Sequence, residues 1–332
     1  MKRALALLAL IAGCLQARAE TPGVIQRMAD AADRLNYRGI LVQIEGNFTQ
    51  SLSVLHRAGV QGGDDRIHSL QGDYWELQRK AQRCRVGLSA PRTVRDDALI
   101  AAMFPSVYPG RLLRTASYFD FERVGSGRVA GRDVDFILAR PRDPFRFAHL
   151  FATDVATGLL MKTSLLDARG HELRQAYFVD IEILGELSPQ QWDAQVAAAP
   201  AGLQWSEYTL DPHPLDKPIP WRVNLPPGFA VVGYTRGPVR AGGPPIEQIN
   251  ISNGLTSLSV FIDGSAGNGA TAEGFSKIDV LNAYVTTVGS KQVTLIGPLP
   301  TVTLEAVAKG FAPAGDAARD TQQAEVSAGA AH

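Results

Sequence analysis

Residues 129–183 read VAGRDVDFILARPRDPFRFAHLFATDVATGLLMKTSLLDARGHELRQAYFVDIEI, and this stretch decides the fold class. Val134, Phe136 and Leu138 alternate along it, and apolar positions recur around Phe145, Phe147 and Phe151, the period of two of a half-buried strand. Thr157-Gly158 and Ala168-Arg169-Gly170 supply the turn residues that fold the chain back on itself. The segment predicts an uninterrupted β-meander, apolar on one face, with very little catalytic hardware. Such a face must be covered, and what covers it is the functional question.

Towards the N-terminus, Gly125-Ser126-Gly127 is the predicted hairpin turn into the meander, preceded by an aromatic strand over 118–124. Residues 98–104 read as a short helix or a loop, and Pro105 and Pro109 after it suggest a lid-like connection. Residues 66–78 and 83–87 read as strands. Ile40, Val42 and Ile44 alternate, Gly46-Asn47 turns, and Leu52 and Val54 alternate on the return. Thr21-Pro22 caps and opens a helix whose apolar stripe is Ile25, Met28, Ala32 and Leu35.

Towards the C-terminus, Ser188-Pro189 starts a helix to about 198. Pro212, Pro214, Pro218 and Pro220 then mark a linker over 199–220, since none of them fits a central strand. Beyond it Leu258, Val260 and Ile262 alternate, 284–288 and 292–296 read as strands, and Leu304, Val307, Ala308 and Phe311 form one helical stripe. Residues 264–274 form a Gly/Ala-rich loop, and no apolar pattern survives after Pro313. The expected organisation is a signal peptide at 1–19, a large domain at 20–198, the linker, a small domain at 221–312 and a disordered tail at 313–332.

The extreme N-terminus is an export signal: Lys2 and Arg3, an apolar run over 4–13, then Ala17-Arg18-Ala19 before Glu20. Ile11-Ala12-Gly13-Cys14 also resembles a lipobox, in which Cys14 would be lipidated. The Ala-x-Ala site at its proper distance favours the soluble, periplasmic product. Cleavage after Ala19 would leave Cys84 as a lone thiol, expected to be buried and inert. The 332 residues carry 33 basic and 33 acidic side chains, which implies no pull towards nucleic acid or anionic membrane.

Catalytic signatures are missing. There is no Gly-x-Ser-x-Gly elbow, no His-x-x-x-His and no Cys-x-x-Cys; His56, His68, His149, His171 and His213 are scattered. The Gly125-Ser126-Gly127 run is no phosphate loop, because its next glycine, Gly131, falls one place late and a strand follows. Neither a metal nor a cofactor is expected, and the chain reads as a binding protein rather than an enzyme.

The positive signal is aromatic. Phe104, Tyr108, Tyr118, Phe119, Phe121, Phe145, Phe147 and Phe151 surround a one-sided sheet. Singly, each is read as core; together, over an open sheet with few helices, they outline a cleft for acyl chains. Arg111, Arg114, Arg142 and Arg146 lie near them in sequence, and on the rim of such a cleft they would meet lipid phosphates.

These residues resemble the periplasmic sigma-E regulators of the RseB/MucB family over nearly the whole chain after the signal. The resemblance is carried by Tyr118-Phe119-Asp120-Phe121, Arg128-Val129-Ala130-Gly131-Arg132 and Asp154-x-x-Thr157-Gly158-Leu159-Leu160-Met161-Lys162. It continues in Trp221, Leu225-Pro226-Pro227-Gly228-Phe229, Pro245-Ile246-Glu247-Gln248, Ser252-x-Gly254-Leu255 and Ser257-Leu258-Ser259-Val260-Phe261. It implies an α+β fold: a large LolA/LolB-like unclosed antiparallel β-barrel with helices across its mouth, and a small C-terminal antiparallel sheet-and-helix domain. It further implies a partner, the periplasmic part of a membrane anti-sigma factor (RseA or MucA), which the protein shields from proteolysis until lipid or lipopolysaccharide releases it. Trp221, Arg222 and Phe229 are the expected partner-binding residues, and a homo-oligomer remains open. The chain departs from the family around Tyr74-Trp75-Glu76 and Arg79-Lys80-Ala81, which are less charged than usual there. Two rival readings follow from the residues alone. A lipid or lipoprotein carrier would need no second domain. An envelope enzyme would need a nucleophile–base pair that the scattered histidines do not supply.

Overall fold

The computed structural model describes residues 21–59, 63–80, 83–89, 104–195, 199–209, 215, 218–238, 245–264 and 272–314; side chains are not described at 21, 22, 104–108, 208, 209 and 238. The signal segment, residues 98–103 of the stretch read as a short helix or loop, most of the 264–274 loop and the tail from 315 lie outside these residues. The chain forms two units. The second holds Pro144–Arg146 together with everything from Pro212 onward, and the first holds the rest.

The first unit is one eleven-stranded antiparallel sheet. Its strands are β1 (Asn36–Glu45), β2 (Phe48–Arg57), β3 (Asp64–Ser69), β4 (Trp75–Lys80), β5 (Arg83–Leu88), β6 (Phe119–Val129), β7 (Arg132–Pro141), β8 (Ala148–Asp154), β9 (Leu160–Leu166), β10 (Glu172–Leu184) and β11 (Gln204–Thr209). The order is β11-β5-β4-β3-β2-β1-β10-β9-β8-β7-β6, with β11 and β6 as edges, so the sheet is unclosed. Two meanders are thus joined where β1 pairs with β10. Helices α1 (Thr21–Arg34) and α2 (Phe104–Thr115) pack on each other and on β9. They bury Ile25, Met28, Ala31, Ala32 and Leu112. Helix α3 (Pro189–Gln195) begins with a reciprocal cap: Gln191 N–H donates to Ser188 Oγ at 3.2 Å, and Ser188 N–H donates to Gln191 Oε1 at 2.9 Å.

Several expectations are corrected. The hairpin into the meander turns at Ala130-Gly131, not at Gly125-Ser126-Gly127. Val129 pairs with Arg132 and the two central residues have φ of 47° and 75°, as a two-residue loop of the right twist requires. Gly127 is a glycine for another reason: the Phe136 ring lies across it, 2.8 Å from where a Cβ would stand. Residues 66–78 are two strands, β3 and β4, with a bend at 70–73. Part of the segment read as linker is strand β11, which pairs with β5. Pro105 and Pro109 lie inside α2, where packing against α1 outweighs the hydrogen bond that Pro109 cannot donate. Phe311 follows the last helix rather than sitting on it.

The second unit has a six-stranded antiparallel sheet in the order β13-β14-β15-β18-β17-β16. These are β13 (Ala230–Pro238), β14 (Pro245–Ser252), β15 (Ser257–Asp263), β16 (Gly274–Ile278), β17 (Leu281–Val288) and β18 (Lys291–Gly297). Helix α4 (Thr301–Lys309) packs on β17 and β18, and β12 (Trp221–Val223) pairs with β19 (Phe311–Pro313). Alternation puts Ile249, Ile251, Leu258, Val260, Ile262, Val293 and Leu295 into one core with Leu304 and Val307 of the helix.

Candidate functional site

The register of the first sheet assembles a buried polar row that no local sequence pattern announces. Tyr37 of β1 stands opposite His56 of β2, His56 opposite Asp65 of β3, Asp65 opposite Arg79 of β4, and Arg79 opposite Cys84 of β5. All five are at most 5% exposed. The His56 ring stacks on Tyr37 at 4.6 Å. His56 Nδ1 lies 2.6 Å from Asp65 Oδ1 and Nε2 lies 2.8 Å from the Ala32 carbonyl oxygen of α1. Arg79 Nε donates to Asp65 Oδ2 at 2.6 Å. The Asp65 carboxylate and the Ala32 carbonyl are both acceptors, so the ring is clamped at its two nitrogens between Asp65 and helix α1. Burial alone pushes the Asp65 carboxyl up, but the Arg79 charge, then His56, hold it well below the usual carboxylate range. The row therefore ties helix α1 to the sheet through a charged network. Cys84, at its far end, is buried and free, with its thiol pushed up to about 11 chiefly by burial, so it is unreactive.

Beside this row lies a basin of about 820 Å³ in the first unit, lined by Arg57, Asp64, Arg66, Lys80, Arg83 and Arg85 among others, with Trp192 and Asp193 of α3. It is polar and predominantly cationic. None of the four head-group arginines expected from the sequence lines it.

The aromatic candidates separate. By register Phe121 faces Ala139, Ala139 faces His149 and Ile137 faces Phe151, so Phe121, His149 and Phe151 share one face of β6–β8. Phe119 joins them two residues along, in contact with the His149 ring at 5.7 Å. Phe119 and Phe151 are fully buried, while Tyr118, Phe121 and Phe147 are half-buried. Phe145 packs against the core of the second unit, and the Phe104 and Tyr108 side chains lie outside the described residues. On the described inner face Phe119 and Phe151 are thus core, while Phe121 keeps partial exposure.

The arginines separate too. Arg142 is exposed and pairs with Asp120 at 2.9 Å, and Arg114 is exposed. Arg111 is buried at 6%. Arg146, in the second unit, is buried; it lies 4.9 Å over the Phe229 ring and donates from Nη2 to the Pro227 carbonyl at 2.5 Å.

Among the expected partner residues, Trp221 and Phe229 are core and Arg222 faces solvent. Trp221 Nε1 donates to Glu247 Oε2 at 2.8 Å, Tyr234 Oη donates to the same oxygen at 3.0 Å, and Lys291 Nζ reaches Oε1 at 2.8 Å. Burial pushes the Glu247 carboxyl up, but Lys291, Trp221 and Tyr234 together hold it below its ordinary range. Sequence reasoning missed this cluster, although Glu247 sits at an inward position of an alternating strand, where a charge needs partners. Glu247→Ala is expected to cost about 2 kcal/mol by leaving the buried indole N–H without its acceptor. Equilibrium urea unfolding of the variant measures it.

Comparison with known proteins matches the chain to two models, the MucB/RseB N-terminal domain over residues 21–196 and the MucB/RseB C-terminal domain over residues 216–312. The sigma-E factor regulatory protein RseB of Haemophilus influenzae is 26% identical over 285 residues, covering 85% of this chain and 88% of that protein. The sigma factor AlgU regulatory protein MucB of Pseudomonas aeruginosa is 27% identical over 301 residues, covering 87% and 90%. Among solved structures, the Pseudomonas aeruginosa MucA/MucB complex superposes with a TM-score of 0.69 at 24% identity, over 89% of this chain and 99% of that one. With both models matched in order along one chain, this protein belongs to the MucB/RseB family.

Proposed function

We propose that the protein is a periplasmic regulator that binds the periplasmic segment of a membrane anti-sigma factor of the MucA/RseA type, shields it from proteolysis, and releases it when a lipid or lipopolysaccharide occupies the first unit. The observation that carries the reading is the fold likeness to the MucB chain of a MucA/MucB complex, extending over 89% of this chain. Relatives similar across both units are named as sigma-factor regulators. Arg222, exposed on β12, is the partner-facing residue of the three proposed; Trp221 and Phe229 shape the strand from within.

For the lipid, the support is the inner face of the first sheet. Phe119, Phe121 and Phe151 lie there, and so do Tyr37 and Gln43 at even spacing on β1. Among the described residues the buried Tyr37 Oη and Gln43 Nε2 have no hydrogen-bond partner. Buried polar atoms of that kind are uncommon, and an ester or amide of a lipid would satisfy them. An acyl chain that replaces the apolar side chains of α1 or α2 keeps the buried apolar area nearly constant, so exchange is energetically accessible. The regulatory step is then linkage: a ligand preferring the partner-free state weakens the partner by its differential affinity, and reciprocally.

Titration calorimetry of the protein with the periplasmic anti-sigma segment tests this. Saturable binding, weakened at least about fivefold by saturating lipid, is expected for a coupling of ~1–3 kcal/mol. Equal affinity with and without lipid removes the switch, and no binding removes the regulator.

A further inference from the structure

The cationic basin is used neither by the anti-sigma reading nor by the apolar inner face, and its outer wall is built against electrostatic economy. Lys80 of β4 stands directly opposite Arg83 of β5. Both are exposed, and among the described residues neither has a carboxylate partner. Like charges facing each other across an antiparallel pair destabilise the sheet, and any neutral pair would be better for folding alone. Asp64 faces Lys80 from β3 but is engaged by Arg57.

The next residue on the same face adds a third cation. Arg85 donates from Nε and Nη2 to Gln78 Oε1 at 2.8 and 2.6 Å, and its guanidinium lies 4.5 Å over the Trp205 ring. Trp205 can lie there because position 87 is glycine; a Cβ would stand 2.9 Å from the indole. Arg85 is therefore held in place by an amide and an aromatic ring, and Glu207 of β11 stands opposite it without closing an ion pair. Arg57 is positioned in the same way on the opposite wall, 5.0 Å over Trp192, although it also pairs with Asp64. Arg66 is paired with Glu76. The remaining carboxylates in the lining are Asp65, paired with Arg79, and Asp193 and Glu207, neither of which forms an ion pair with Lys80, Arg83 or Arg85 among the described residues.

We propose that this basin, with Lys80, Arg83 and Arg85 as its binding residues, is a site for a phosphate-bearing, multivalent anion. Three cations without an ion pair among the described residues stand on one short hairpin, a setting that suits a compact, highly charged group, and arginine forks match phosphate oxygens in pairs. A recess of about 820 Å³ holds a phosphorylated sugar and is too polar to favour an acyl chain. An acidic peptide would spread its carboxylates at roughly 3.3 Å per residue along an extended strand and would need an open groove instead. The bound group is a free phosphate compound or the phosphorylated head of a lipid. The site requires no anti-sigma partner, so its fate and that of the regulatory reading are separable.

The test uses the purified protein at low ionic strength, without any partner. Inorganic pyrophosphate is titrated calorimetrically and in thermal melts; in parallel, co-sedimentation is measured with phosphatidylcholine vesicles with and without phosphatidic acid. Saturable one-site binding is expected, weakened about tenfold or more in Lys80→Ala/Arg83→Ala and in Arg85→Gln, and lost at high salt. Pyrophosphate should raise the melting temperature of the parent and not of the double variant. Without anion, the double variant should melt no lower than the parent, because the opposed charges are gone. Should it fail to fold, Arg85→Gln and Lys80→Gln carry the comparison. Binding to pyrophosphate assigns the site to soluble phosphates; binding confined to phosphatidic acid vesicles assigns it to lipid head groups. Binding to neither, or binding unaffected by the substitutions, overturns the proposal.

Discussion

Asp65→Ala is expected to destabilise the first unit by about 3–5 kcal/mol, the usual cost of removing one partner from a buried ionic network. The carboxylate stands between the Arg79 guanidinium and the His56 ring, all nearly excluded from water. Its removal takes a carboxylate partner from the buried guanidinium and a hydrogen-bond partner from the ring. His56 then loses the partner that orients its ring towards the Ala32 carbonyl, so α1 loosens as well. Because the Asp65 carboxyl is depressed in the folded state, its contribution is complete above its ordinary value and is lost as pH falls through the depressed one. Urea unfolding at pH 7 reads the loss directly, and hydrogen exchange in α1 reads the loosening. A loss below about 1 kcal/mol would mean that water reaches the row, and the network would not be holding the helix.

The second large effect is acid lability set by His149. Burial, with a smaller contribution from the Arg174 charge, pushes its imidazole down to about 3, and its ring lies between Phe119 and Phe151 at 5.7 and 5.9 Å. The unfolded chain takes up this proton near pH 6.5 while the folded chain does not, so stability is complete above that value and falls as pH drops towards 3. Each pH unit within that window costs about 1.4 kcal/mol, hence roughly 3 kcal/mol between pH 7 and 4. In His149→Phe the slope between about pH 6.5 and 5 should fall to the smaller one due to His68, whose value is lowered mainly by burial. The depressed carboxyls of Asp65 and Glu247 add their own loss only below about pH 4.5, so the comparison is read above that value. Parallel pH profiles of unfolding free energy in the two proteins would refute the assignment.

Much of the fold was legible because alternation is a local signal. Val134 to Leu138, Leu258 to Ile262 and the turns at Gly158 and Gly170 could be read one strand at a time. What failed were positions where a glycine or proline answers to a distant residue. Gly127 accommodates Phe136, Gly87 accommodates Trp205, and Pro109 is tolerated because α1 lies against α2. Strand β11 was hidden for the same reason: its partner is β5, more than a hundred residues earlier. The polar row was out of reach altogether. His56, Asp65, Arg79 and Cys84 come from four strands, and only the register makes them neighbours. The aromatic run was read as one cleft because it is continuous in sequence. Its members divide because Pro144–Arg146 belong to the other unit, taking Phe145 with them.

The joint between β1 and β10 also governs how the molecule comes into being. Asn36 pairs with Leu184 and Glu45 with Arg174, so the central seam of the large sheet closes only after nearly all of that unit has been synthesised. Until then the first five strands, lacking β11 as well, form a ribbon bare along both margins, prone to stick to other chains. Refolding is correspondingly expected to be slow, with the seam rather than either meander setting the pace.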